Sequence, residues 1–147
     1  MKKSSIVLAA LLGLATVSAQ ADVANAEKLA QKYTEIAKVV NPAYAGPSAV
    51  EGKLFFNRTI KGANGKEAAC ASCHTTNPAN EGKHIVTGKR ILPLSPVVNA
   101  KRFSNLDNVE DKFTEHCNDI IGTDCTPQEK ANFIGYLLTE KTPTAKK

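Results

Sequence analysis

Residues 70–74 read CASCH. Two thiols and an imidazole within little more than one helical turn can do one well-defined piece of chemistry. Cys70 and Cys73 add to the two vinyl groups of a haem as thioethers, and His74 approaches the iron from the proximal side. Two other uses of paired cysteines fit less well. A dithiol redox motif needs a surrounding βαβ pattern, which the flanking sequence does not show. Zinc needs two further ligands, and Cys117 and Cys125 do not form a second C-x-x-C. The motif occurs once, so one covalent haem c is expected.

The ligand on the other side of the iron is less obvious. Many c-type cytochromes use methionine there, but Met1 is the only methionine in the chain. The candidates are therefore His84, His116, a weaker ligand such as asparagine or lysine, or an open site. His84 follows His74 by ten residues in the polar stretch TNPANEGKHIVTGK, too short a path around a macrocycle, and reads as a surface-loop histidine. His116 lies forty-two residues downstream of His74, far enough to reach the opposite face. The balance favours His116 as the distal ligand.

Cys117 follows His116 directly, and Cys125 comes eight residues later. With Cys70 and Cys73 committed to haem, these are the remaining thiols, and in an oxidising compartment a disulfide between them is the simplest outcome. Closing that loop is worth roughly 2.6 kcal/mol in the chain-entropy treatment.

Four segments show the helical period that could position these groups. The first runs from about Asn25 to Val40, with Ala26, Leu29, Ala30, Tyr33, Ile36, Ala37 and Val40 on one stripe, and ends at Asn41-Pro42. The second starts at the capping box Ser48-Ala-Val-Glu51 and continues through Leu54, Phe55 and Phe56. The third spans about Asp107 to Ile121, with Gly122 as its C-terminal cap. On it Val109, Phe113, His116, Cys117 and Ile120 share one stripe, which predicts that His116 is buried. The fourth begins at Thr126-Pro-Gln-Glu129, a capping box with proline at its first helical position, and reaches about Thr139. The intervening segments read as loops, and Ile91-Leu-Pro-Leu-Ser-Pro96 is suited to lining a haem edge.

The N-terminal MKKSSIVLAALLGLATVSAQA has a basic start, an apolar centre and a small-residue cleavage pattern. It predicts a signal peptide over residues 1–21, cut before Asp22, and a single domain over 22–147 in the periplasm. Without the two leader lysines the formal charge falls from +5 to +3. Nine Lys and Arg against two acids lie between Lys53 and Arg102, whereas the segment from Asp107 to Glu129 is acidic. Such a dipole can orient a redox partner. Nucleic-acid binding and membrane insertion are not expected, and the protein reads as a monomer.

The stretches CASCHTTNPAN, IVTGKRILPLSP and HCNDIIGTDCTPQEKANFIGYLL closely resemble the cytochrome c″ family, monohaem cytochromes of methylotrophic bacteria, and the resemblance runs from Asp22 almost to the end. A wider resemblance, to the sphaeroides haem proteins, is confined largely to the haem motif and the Cys117–Cys125 segment. Both imply an all-α fold with a class I cytochrome c-like core, here with an additional N-terminal helix. The first implies bis-histidine ligation by His74 and His116, a Cys117–Cys125 disulfide, and a distal histidine that detaches on reduction and takes up a proton. Oxygen-binding sphaeroides haem proteins carry asparagine where this chain has His116, a weaker ligand that gases displace. The expected function is therefore electron transfer with redox-linked protonation rather than enzymatic turnover, with redox proteins as partners. The alternative is binding or reduction of oxygen or nitric oxide by the ferrous form.

Overall fold

The structure is a computed structural model that describes residues 13–62 and 65–144. Five helices follow in order: α1 (Gly13–Val40), α2 (Ala49–Asn57), α3 (Cys70–His74), α4 (Leu106–Ile121) and α5 (Pro127–Thr139). Two small antiparallel ladders flank α3. Strand β1 (Ile60–Lys61) pairs with β2 (Glu67–Ala68), and β3 (Gly82–Lys83) pairs with β4 (Arg90–Ile91), with Gly82 opposite Ile91.

The helix ends follow the capping chemistry in the sequence. Ser48 Oγ accepts from the Glu51 N–H at 3.2 Å at the start of α2. Thr126 and Glu129 form the reciprocal capping box of α5, with Pro127 as its first residue. Asn105 caps α4, and Gly122 ends it in the left-handed region at φ 85°, where a side chain would be strained.

The core is built where α5 packs against α1 and α2. Ala26, Leu29, Ala30, Tyr33 and Ala37 of α1 meet Ala131, Ile134 and Leu137 of α5, together with Tyr44 and Phe103. The crossing of α2 and α5 depends on Gly52: a Cβ there would lie 2.0 Å from the Asn132 carbonyl oxygen and 2.8 Å from Tyr136 Cβ. Buried Asn132 fixes the crossing further, since its Oδ1 accepts from the Tyr44 hydroxyl (2.6 Å) and the Ser48 N–H (2.9 Å).

All four periodic segments are helical, but three features differ from the expectation. Helix α1 starts at Gly13 rather than near Asn25. Haem-motif residues 70–74 form a short helix, and four two-residue strands lie in stretches read as loops, because elements this short carry no detectable period. Residues 1–12 of the expected leader lie outside the described residues. Gln20 and Ala21 are exposed, whereas Asp22 is buried and its Oδ1 accepts from the Phe103 N–H at 2.8 Å. No helix among the described residues is long and apolar enough to cross a membrane.

Candidate functional site

Helix α3 presents Cys70, Cys73 and His74 from a single turn. Ala69 precedes it in extended conformation, and the Ser72 hydroxyl accepts from the Ala69 N–H at 3.0 Å. The chain leaves His74 through Thr75, a non-glycine residue at φ 61° whose hydroxyl donates to the Asn77 carbonyl. That sharp exit turns the backbone so that the Pro78 carbonyl accepts from the N–H groups of Leu94 (2.9 Å) and Ser95 (3.0 Å). The Ile91–Pro96 stretch is thereby bound to the loop after His74. Arg102 holds it from the other side, donating to the carbonyls of Pro93 (3.1 Å) and Leu92 (2.8 Å).

Cys70 and Cys73 are not joined in a disulfide. Burial pushes the Cys70 thiol up to about 11, so it remains neutral. Burial, helped by the nearby charges of His116 and Arg102, lowers His74 to about 4. Its imidazole is consequently neutral near pH 7 and available as a metal ligand. Strand β3 backs this helix closely, since a Cβ on Gly82 would lie 2.2 Å from the Cys73 carbonyl oxygen and 3.0 Å from His74 Cα.

His116 stands opposite His74. The two ring centroids are 6.4 Å apart and the ring planes are inclined at 46°. The His116 Nδ1–H points to the Lys112 carbonyl at 2.7 Å, which leaves Nε2 as the free lone pair. Helix α4 is anchored by Phe113, packed 4.9 Å from Phe133 and 6.5 Å from Tyr33, and by Cys117. The Cys117–Cys125 disulfide is present with a Cα separation of 5.5 Å, inside an apolar cluster with Phe55, Phe113, Ile121 and Phe133.

The apolar stripe of α4 is covered unevenly by the rest of the protein. Successive helical residues lie about 100° apart, which puts His116 at one margin of the α4 stripe and Cys117 at the other. Cys117 is buried, and His116 is exposed on the side facing His74. His84 is not part of the site. It lies at the turn between β3 and β4, where its Nδ1 accepts from the N–H groups of Val86 and Thr87. Sequence reasoning missed Lys130, whose ammonium is buried against α4. The available signal was a charged residue at i−4 from Ile134 and i−7 from Leu137, on the apolar face of α5.

The sequence matches a family described as a domain of unknown function, DUF1924, over residues 42–137. It is 62% identical over 142 residues, 97% of this chain and 99% of the relative, to cytochrome c″ of Methylophilus methylotrophus. The chain belongs to the cytochrome c″ family. The crystal structure of oxidised cytochrome c″ from that organism superposes with a TM-score of 0.80 at 67% identity, covering 83% of this chain and 99% of the other. A solution structure of the same protein, described in terms of haem-ligand detachment, gives 0.79 at 67% identity, covering 84% and 99%. Oxidised SHP, an oxygen-binding cytochrome c, gives 0.66 at 32% identity over 76% of this chain and 94% of that one. Membership makes this chain a c-type cytochrome with haem c as cofactor, and its class I helical core carries α1 as the additional N-terminal helix.

Proposed function

We propose that this cytochrome c″ relative is a periplasmic electron carrier whose single haem is held by Cys70 and Cys73 as thioethers and by His74 and His116 as axial ligands. One separation carries the reading. With a metal–imidazole bond of about 2 Å and a ring centre roughly 1.1 Å behind its nitrogen, two imidazoles sharing one metal ion have centres about 6.2 Å apart. His74 and His116 are at 6.4 Å. The 46° between their planes fits as well, because each ring can turn about the axis through the metal. The disulfide supports maturation in the periplasm, where disulfides persist.

When bound, the haem supplies a one-electron ferric/ferrous couple. The protein residues set what accompanies the electron. The Nδ1 bond to Lys112 fixes the His116 ring and leaves Nε2 free as the ligating nitrogen, and the disulfide one residue away limits how far that imidazole can travel. A haem held by these residues would, on reduction, carry one positive charge fewer, and the His116 lone pair would be held less strongly. Once unligated, the His116 imidazole would offer Nε2 as the site that takes up a proton. Of the acids on α4, Glu115, next to His116 in sequence and paired with Lys112, is the one whose charge acts on this ring.

The sign follows by linkage. The reduced form holds the extra proton, so the reduction potential falls as pH rises, by up to about 59 mV per unit for one proton and one electron. Absorption and EPR spectra of both oxidation states across about pH 5 to 9 test the assignment. The expected result is low-spin ferric and high-spin ferrous protein, with a His116→Ala variant high-spin in both. A ferrous form that stays low-spin with a pH-independent potential overturns the detachment. An unaltered ferric spectrum in the variant overturns the ligand. A second reading is favoured by the likeness to oxygen-binding SHP: a five-coordinate ferrous site that takes a gas. Rapid carbon monoxide binding by the ferrous protein supports it, and failure to bind removes it.

A further inference from the structure

Lys130 stands on α5 with only 5% of its surface exposed. Its ammonium donates to Asp124 Oδ2 at 2.8 Å and to Thr114 Oγ1 at 3.1 Å. It also lies 5.4 Å from the ring centre of Tyr33 and 5.7 Å from that of Phe113. A buried cation is tolerated only with such compensation, here one carboxylate, one hydroxyl and two aromatic faces.

The partners matter more than the burial. Thr114 lies two residues before His116 on α4. Asp124 adjoins Cys125, and its other oxygen accepts from the Cys125 N–H at 2.8 Å. The Thr114 hydroxyl also lies 3.3 Å from Asp124 Oδ2. The ammonium therefore ties α4 just before His116, and the end of the disulfide loop after it, to the helix that packs against α1 and α2. The covalent link joins α4 only to the segment before α5. Lys130 joins both to the rigid part of the fold.

We propose that Lys130 is a positioning residue for His116: with Thr114 and Asp124 it holds α4 in the orientation that keeps the His116 imidazole opposite His74. The inference rests on the assignment of His116 as distal ligand. Losing the clamp leaves α4 free to tilt about the disulfide, and attachment of His116 in the ferric state loosens. The loss of one charge-assisted hydrogen bond corresponds to roughly tenfold in that equilibrium.

The test uses the haem-loaded full chain carrying Lys130→Met, which keeps the apolar stem, and separately Thr114→Val, which removes one hydroxyl contact. Ferric EPR and the reduction potential are read alongside the melting temperature. A high-spin ferric fraction in Lys130→Met and a potential raised by about 59 mV, the equivalent of tenfold weaker ferric attachment, are expected. Thr114→Val should shift both in the same direction by less, and the double variant should resemble Lys130→Met alone because the contact is shared. A wild-type ferric spectrum and potential in Lys130→Met, even with a lowered melting temperature, would reduce Lys130 to a stabilising residue and overturn the proposal. If Lys130→Met fails to fold, a wild-type potential in Thr114→Val has the same force. His116→Ala separates the failures: if its ferric spectrum matches wild type, the ligand assignment has failed, whereas a changed spectrum beside an unchanged Lys130→Met removes only the clamp.

Discussion

Replacing Gly82 by alanine probes how tightly the haem-motif helix is set. The added Cβ would lie 2.2 Å from the Cys73 carbonyl oxygen and 3.0 Å from His74 Cα. Both obstacles are backbone, so no side-chain rotation relieves the overlap. Restoring an ordinary carbon–oxygen contact near 3.3 Å needs a displacement of about 1 Å, some five times the tolerance of roughly 0.2 Å on a metal–ligand distance. Two terms oppose each other. Alanine restricts the unfolded chain, which stabilises by about 0.4–1 kcal/mol, whereas overpacking costs about 1–3 kcal/mol and occasionally more. The backbone clash should win, with a net loss of about 2 kcal/mol in urea unfolding, a reduced yield of haem-loaded protein and a broadened ferric low-spin signal. Lys83→Ala, at the neighbouring exposed strand position, should leave all three readouts unchanged. A Gly82→Ala protein within about 0.5 kcal/mol of wild type, with an unaltered ferric spectrum, would refute this account of how β3 supports the site.

Four further outcomes follow from the same geometry. Gly52→Ala should destabilise by about 3 kcal/mol or more despite the gain of up to ~1 kcal/mol in helix propensity, because its Cβ meets the Asn132 backbone at 2.0 Å. Gly135→Ala, whose Cβ would meet Pro47 Cβ at 3.0 Å and the Pro47 backbone at 3.9 Å, should cost less than Gly52→Ala when both are read by thermal unfolding. A Cys117→Ala, Cys125→Ala double variant should lose about 2.6 kcal/mol, or roughly 10 °C in melting temperature, and calorimetry of the haem-loaded protein reads it directly. Thr126→Ala removes the hydroxyl that accepts from the Glu129 N–H and should cost about 1 kcal/mol in chemical unfolding, with no change in reduction potential.

Much of this architecture was legible in the residue order because the relevant physics is local. Ser48, Thr126-Pro127 and Gly122 mark helix ends through hydrogen bonds and dihedral preferences spanning a few residues, and the structure places α2, α4 and α5 accordingly. Helical period puts His116 and Cys117 on one α4 stripe, and protein side chains cover only Cys117. Periodicity names a stripe but not which of its margins is covered, and here the covered margin belongs to Cys117. The structure of α3, the two ladders and the role of His84 as a turn acceptor left no periodic trace. Lys130 was invisible for another reason: a lysine beside an apolar stripe ordinarily carries its charge to water, and only the positions of Thr114, Asp124, Tyr33 and Phe113 show that this one does not.

By itself, the sequence determined the cofactor chemistry. Two cysteines and a histidine within five residues form the c-type haem attachment pattern, and the single methionine at position 1 leaves none downstream to be a ligand. Tertiary structure alone decided that His74 and His116, far apart in the chain, face each other at 6.4 Å. That distance is set by how α4 leans on α5 through Phe113, the disulfide and the Lys130 ammonium. Such packing depends on side chains from four separate helices meeting at once, and no local pattern encodes where they meet.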